Sequence, residues 1–240
     1  MIVSGVCAEV MTFYGGTPDE LHGWTNVLRA SVDTCENKTI TEDWKMKILV
    51  ELNGDVFDRT KHSLYPDWQS ATDKFITALK PHVASGKALG VFMGDEICCG
   101  GTPYSNLSSV AARLKAGLPS AWIYTNECSE MHSWPKLDAD GSGGVPAGLD
   151  AISVDFYDEH NTDGAAEVAK NKDFYTKEIY PRLRPHQQAL FVPGVFASSP
   201  SHCIASNVSC PLDPQAKQIV IKLDGFFTWA KSDPKIAGFK

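Results

Sequence analysis

Short apolar runs recur along this chain, and nearly every one leads into a stretch with the spacing of an amphipathic helix. The strand-like runs are Val3–Glu9, Lys47–Leu52 (KILVEL), Ala88–Met93, Ser120–Thr125 (SAWIYT), Leu149–Tyr157 (LDAISVDFY), Ala189–Phe196 (ALFVPGVF) and the short Ile236–Phe239 (IAGF). Helical spacing covers Pro18–Val32, Asp67–His82, Asn106–Ala116, Ala165–Ile179 and Pro214–Lys231. Parallel strands need a crossover between them, usually a helix, so this alternation predicts an α/β parallel sheet.

Two architectures fit: an open doubly wound sheet and a (β/α)8 (TIM) barrel. No nucleotide-binding glycine loop follows the first strand, since Tyr14-Gly15-Gly16 is not GxGxxG. Polar residues stand at the C-terminal end of nearly every strand: Glu9, Asn53 and Asp55, Asp95 and Glu96, Asn126 and Glu127, Asp155 and Tyr157, Ser198 and Ser199. A barrel gathers those ends into one ring, where its active site lies, whereas an open sheet spreads them along a line. The barrel is therefore the expected fold, as a single catalytic domain over residues 1–240. Only seven strands are counted. The expectation is a barrel that lacks or truncates one N-terminal strand, which makes Ala88–Met93 the fourth.

The ring is rich in carboxylates, and composition narrows what they act on. The net charge is −7, and no Lys/Arg cluster suits a phosphate backbone, so nucleic acid is not an expected partner. No apolar run reaches the roughly 20 residues of a membrane-spanning helix. Glycoside hydrolysis needs a protonated carboxyl beside the leaving oxygen and a second group that stabilises an oxocarbenium-like centre. Asp95, Glu96, Glu127, Asp155 and Asp158 are candidates for such work. Alternation in Ile152–Tyr157 puts Ser153, Asp155 and Tyr157 on one face, the barrel interior, and Ile152, Val154 and Phe156 on the other. Tyr124, Trp134 and Tyr157 are aromatic candidates for contact with a sugar, and Glu9, Asn53, Asn126 and Glu127 for hydrogen bonds to it.

The stretch Gly94-Asp95-Glu96, closing an apolar strand, resembles the Asp-Glu pair of β-N-acetylhexosaminidases and related substrate-assisted glycosidases. That resemblance implies a (β/α)8 barrel in which Glu96 is the general acid. Asp95 would then orient the substrate's own acetamido group, which acts as nucleophile. If the nucleophile belongs to the protein instead, Asp155 is the first choice. No cofactor and no resident metal are expected on this reading. Two alternatives stay open: an enolase-like barrel holding Mg²⁺ on Glu96, Glu127 and Asp155, and a barrel that binds carbohydrate without cleaving it.

Seven cysteines and three N-x-S/T sites, at Asn37, Asn106 and Asn207, suggest a secreted or lumenal glycoprotein with disulfide bonds. The N-terminus Met1–Val6 has no basic segment ahead of a long apolar core, so no signal peptide is expected in this chain. Cys203 and Cys210 are close enough to close a short Ser-rich loop, and theirs is the expected bridge.

Overall fold

The computed structural model describes residues 10–11, 18–22, 25–52, 54, 56–129, 134–156, 163–192 and 214–239. Its main sheet has eight strands, all parallel: β1 (Val10–Met11), β2 (Val27–Ala30), β3 (Lys47–Glu51), β4 (Ala88–Asp95), β5 (Trp122–Cys128), β6 (Ala151–Asp155), β7 (Gln188–Phe191) and β8 (Ile236–Phe239). From β2 to β8 they pair in chain order, and β8 then pairs with β1. The last strand returning to the first defines the sheet as a (β/α)8 barrel. Among the described residues, the pairing is open only between β1 and β2.

Apart from the first, the crossover helices fall where the apolar spacing puts them. They are α1 (Pro18–Leu21), α2 (Trp68–Ala84), α3 (Tyr104–Gly117), α4 (Gly164–Phe174) and α5 (Pro214–Ser232). None is long and apolar enough to cross a membrane. The helix expected over Pro18–Val32 is a correction. Only its first turn is helical, and Val27–Ala30 is a strand paired in register with Lys47–Val50. Four residues are too few for a period of two to be visible, and Arg29 interrupts the apolar pattern for a reason given below. This strand is the one missing from the sequence count. The N-terminal strand is present but covers only Val10–Met11 of the described residues, while the expected strand Val3–Glu9 lies outside them.

Strands buried on both faces split their side chains between two apolar layers. The inner layer takes one residue from each of seven strands: Val27, Leu49, Phe92, Tyr124, Ala151, Leu190 and Ala237. Alanines among the large rings let a small barrel close around a filled interior. The outer layer, between sheet and helices, holds Ile48, Val50, Val91, Ile123, Ile152 and Val154 with Leu79, Leu107, Leu114, Ile179, Phe226 and Trp229. Successive strand residues thus face opposite layers, as the period of two requires.

The β4–β5 register breaks once, at the end that matters. Phe92 pairs with Tyr124, and the next paired position is Asp95 with Asn126. Three steps on β4 oppose two on β5, which is a β-bulge. Gly94 sits in it at φ +152°, and a Cβ there would lie 2.9 Å from the Ile97 side chain. The extra residue brings Asp95, rather than Gly94, level with the inward-facing Asn126.

Candidate active site

Four polar side chains from β4, β5 and β6 meet at the C-terminal mouth of the barrel. Asn126 is at their centre and fully buried. Its Nδ2 donates to Asp95 Oδ1 at 2.7 Å and to Asp155 Oδ2 at 3.0 Å. Its Oδ1 accepts from the Ser153 hydroxyl. Ser153 has one proton and spends it on that oxygen, so the Tyr124 hydroxyl is the donor in its contact with Ser153 Oγ. The chain of donors runs Tyr124 to Ser153 to Asn126, and its amide then donates to two carboxylates. Such chains polarise one another and fix the orientation of every member. Burial pushes the Tyr124 phenol well above its ordinary value, so it remains a donor.

The two carboxylates share one nitrogen, so their bonded oxygens can be no farther apart than those two hydrogen bonds laid end to end. Asp155 Oδ1 is buried and has no hydrogen-bond partner among the described residues. A carboxylate oxygen left in that condition has acceptor capacity that a ligand could use. Ser153 and Asp155 thus lie on the inner face, as alternation requires, beside Asn126 and Asp95.

Glu96 follows the bulge and is exposed at φ +50°, a left-handed conformation that is uncommon for a residue other than glycine. Such strain costs of order 1–3 kcal/mol and persists only where neighbours over-determine it. Here the last three residues of β5 supply the restraint. The Asn126 carbonyl accepts from Glu96 N at 2.8 Å. Glu127 accepts from Cys98 N at 3.1 Å and Cys99 N at 3.3 Å. Cys128 is disulfide-bonded to Cys99. Arg59 adds a bond from its guanidinium to the Asp95 carbonyl. The turn after Glu96 is therefore clamped to β5 at three consecutive positions.

Glu127 is wholly buried, with its oxygens turned to these backbone amides. Burial is the main cause that raises its pKa from 4.5 to about 7; the amide hydrogen bonds pull the other way, and the charges of Glu96 and Asp95 add to the rise. A raised folded value favours the protonated form. Glu127 therefore stabilises the fold fully below about pH 4.5, and that contribution is lost as pH rises through about 7. We expect the stability of the native chain relative to a Glu127→Gln variant to fall by about 3 kcal/mol across this window, at roughly 1.4 kcal/mol per pH unit. Urea unfolding at pH 4.5 and 7.5 measures it, and a pH-independent difference would contradict the assignment.

Other sequence candidates are distributed differently. Trp134 is 6% exposed and packs edge-on against Tyr104, ring centroids 5.2 Å apart, in the layer outside the sheet. Tyr124 lies inside the barrel, stacked on Trp122. Glu9, Asn53 and Tyr157 fall outside the described residues, as do Cys203 and Cys210. No group of three or more His, Cys, Asp or Glu side chains among the described residues is arranged to hold a metal ion, and Glu127 is turned away from Asp155 toward the β4 turn. The enolase-like set Glu96, Glu127 and Asp155 is therefore not assembled.

Sequence reasoning missed Arg29 and the bridge Cys99–Cys128. Arg29 Nε lies 2.6 Å from Glu51 at the end of β3, and its guanidinium stands 4.8 Å over the Phe92 ring, which is why a charged residue is tolerated in a barrel strand. For the bridge a signal existed: both cysteines lie just past the acidic ends of adjacent strands, which a parallel sheet brings together. Cys35 and Cys98 have no disulfide partner among the described residues. Replacing Cys99 and Cys128 together by Ser is expected to cost about 2–4 kcal/mol of stability. A matching loss in the native protein under reductant, read from the denaturant midpoint, is the check; no change on either treatment would mean the bridge constrains nothing.

No protein-family model matches the sequence, and no curated protein matches it. Solved structures do resemble its fold. A GH2 β-galacturonidase from Eisenbergiella tayi aligns over 90% of this chain and 37% of its own, at 12% identity and TM-score 0.54. An FMN-binding β-glucuronidase from Facaelibacterium prausnitzii L2-6 aligns over 92% and 32%, at 13% identity and TM-score 0.54. The GH113 β-mannanase AaManA from Alicyclobacillus acidocaldarius aligns over 90% and 75%, at 11% identity and TM-score 0.50. The chain thus spans about a third of the first two proteins and three quarters of the third. The neighbours are glycoside hydrolases, and the likeness at these identities is one of fold.

Proposed function

We propose that the chain is a glycoside hydrolase with Glu96 as general acid and the Asp95–Asp155 pair as the anionic group beneath the reacting carbon. The observation that carries this reading is the Asn126 amide bridging the two carboxylates beside the strained, exposed Glu96. The fold shared with glycoside hydrolases supports it, since barrel enzymes do their chemistry at this face.

In the proposed reaction the Glu96 carboxyl gives its proton to the glycosidic oxygen as the bond from that oxygen to the anomeric carbon breaks. The positive charge that develops on the sugar is met by the two carboxylates. Asp155 Oδ1, buried and without a partner among the described residues, then closes on the anomeric carbon to form a glycosyl ester. Water, deprotonated by the Glu96 carboxylate, opens that ester and restores both groups. A second reading rests on the adjacency of Asp95 and Glu96. In it the substrate's acetamido oxygen is the nucleophile and Asp95 holds its N–H.

One experiment separates the two. A fluorinated aryl glycoside that accumulates the ester should label Asp155, located by peptide mapping. A thiazoline that mimics the cyclised acetamido intermediate should inhibit only if the second reading holds. Neither labelling nor inhibition, with no turnover of any aryl glycoside, would leave a barrel that binds sugar without cleaving it. The Cys99–Cys128 bridge and the exposed Asn37 support a secretory route for the chain.

A further inference from the structure

Two cavities open on the same side of the barrel mouth. The inner one, about 300 Å³, is lined by Arg29, Arg59, Phe92 and Asp95 and so reaches the Asp95 member of the carboxylate pair. The outer one, about 680 Å³, lies between the turn after β2 and the α2 face that carries Lys74 and Phe75. Both share Glu51, Leu52 and Gly54, so they are two parts of one cleft. Ligand sites for small molecules span about 300–1,000 Å³, so the inner cavity is at the lower limit and the whole cleft near the upper.

We infer that this cleft binds a linear, neutral glycan of several sugar units, with the outer cavity holding units remote from the bond that is cut. The inference rests on the glycosidase reading and extends it to the length and charge of the substrate. Tyr65 is 36% exposed on the outer wall and Phe75 is half-buried beside it, giving ring surface for a sugar's apolar face. Asp33 and Asp67 supply acceptors for hydroxyl groups and make no ion pair among the described residues. Glu51 is paired with Arg29, but Asp33 and Asp67 still outnumber Lys74, the one cation among the described residues of the outer cavity, so a chain of uronate units would meet net repulsion there. Gly54 stands at the junction, and a Cβ built on it meets nothing within 4 Å. A large side chain at that position can obstruct the passage without disturbing the packing.

The test uses the Glu96→Gln protein, which holds a substrate without turning it over, and calorimetric titration with β-1,4-linked manno- and gluco-oligosaccharides and with oligogalacturonates, each of two to six units. One neutral series should bind at least tenfold tighter as the hexamer than as the dimer. Gly54→Trp and Tyr65→Ala, each added to that protein, should reduce this gain to about twofold. Equal affinity at all lengths, a gain untouched by Gly54→Trp, or no binding by any series would overturn the inference. Preference for the oligogalacturonates would overturn its neutral-substrate part. Length-dependent binding with no hydrolysis by the native protein would instead remove the glycosidase reading and leave the cleft. Hydrolysis of aryl glycosides without length-dependent binding would do the reverse.

Discussion

Replacing Glu96 by Gln is expected to lower turnover of a natural glycoside by about 10²–10⁴-fold, the range for loss of a general acid. The side chain is exposed and the substitution keeps its shape, so the melting temperature stays where it was. An aryl glycoside with a good leaving group needs little protonation and loses much less. That split distinguishes loss of proton donation from loss of binding. Equal losses on both substrates would make Glu96 a binding group, and full activity on the natural glycoside would remove it from the chemistry.

Asn126→Ala has the second large effect, on stability as well as on turnover. The amide satisfies three partners at once: Asp95, Asp155 and Ser153. Removing it takes a donor from each of two carboxylates and an acceptor from the Ser153 hydroxyl, which keeps only its contact with Tyr124. Two of the three bonds lost go to carboxylates, at about 1.5–3 kcal/mol each, so the loss is at least about 3 kcal/mol. For a domain of this size that lowers the melting temperature by roughly 6–12 °C, at 2–4 °C per kcal/mol. The two acids also lose the donor that holds their oxygens together, so turnover falls with stability even at temperatures where the variant is folded. Asn126→Asp keeps the shape but supplies a third acceptor in place of the donor, and it should do no less damage. A variant that melts within a degree of the native protein would show that the bridge is not a structural element.

The barrel was legible because most strands are apolar on both faces and close on a polar residue; KILVEL and SAWIYT are strands that could not face water on either side. Val27–Ala30 was not legible. Its four residues carry Arg29 inside the barrel, and only the partner Glu51 and the Phe92 ring make that burial tolerable. At the site, the inward set Ser153 and Asp155 could be read from the alternation in β6. Adjacency singled out Asp95 and Glu96, but the bulge that turns them to different surroundings is a register property, and register depends on the neighbouring strand. Glu127 illustrates the limit. As the acid at a strand end it reads as a site residue, yet one step along β5 from Asn126 it points to the opposite face and holds the turn from beneath.

In the proposed site, Glu96 and the Asn126-bridged carboxylates flank a single reacting bond. A crystal structure of the Glu96→Gln protein soaked with its best-bound oligosaccharide tests it most directly. The glycosidic oxygen is expected within hydrogen-bond reach of the amide that replaces the Glu96 carboxyl. The anomeric carbon should face Asp155 Oδ1, and further sugar units should run over Glu51 toward Tyr65. A sugar chain ordered elsewhere on the barrel, with the space between position 96 and Asp155 closed to it, would contradict it.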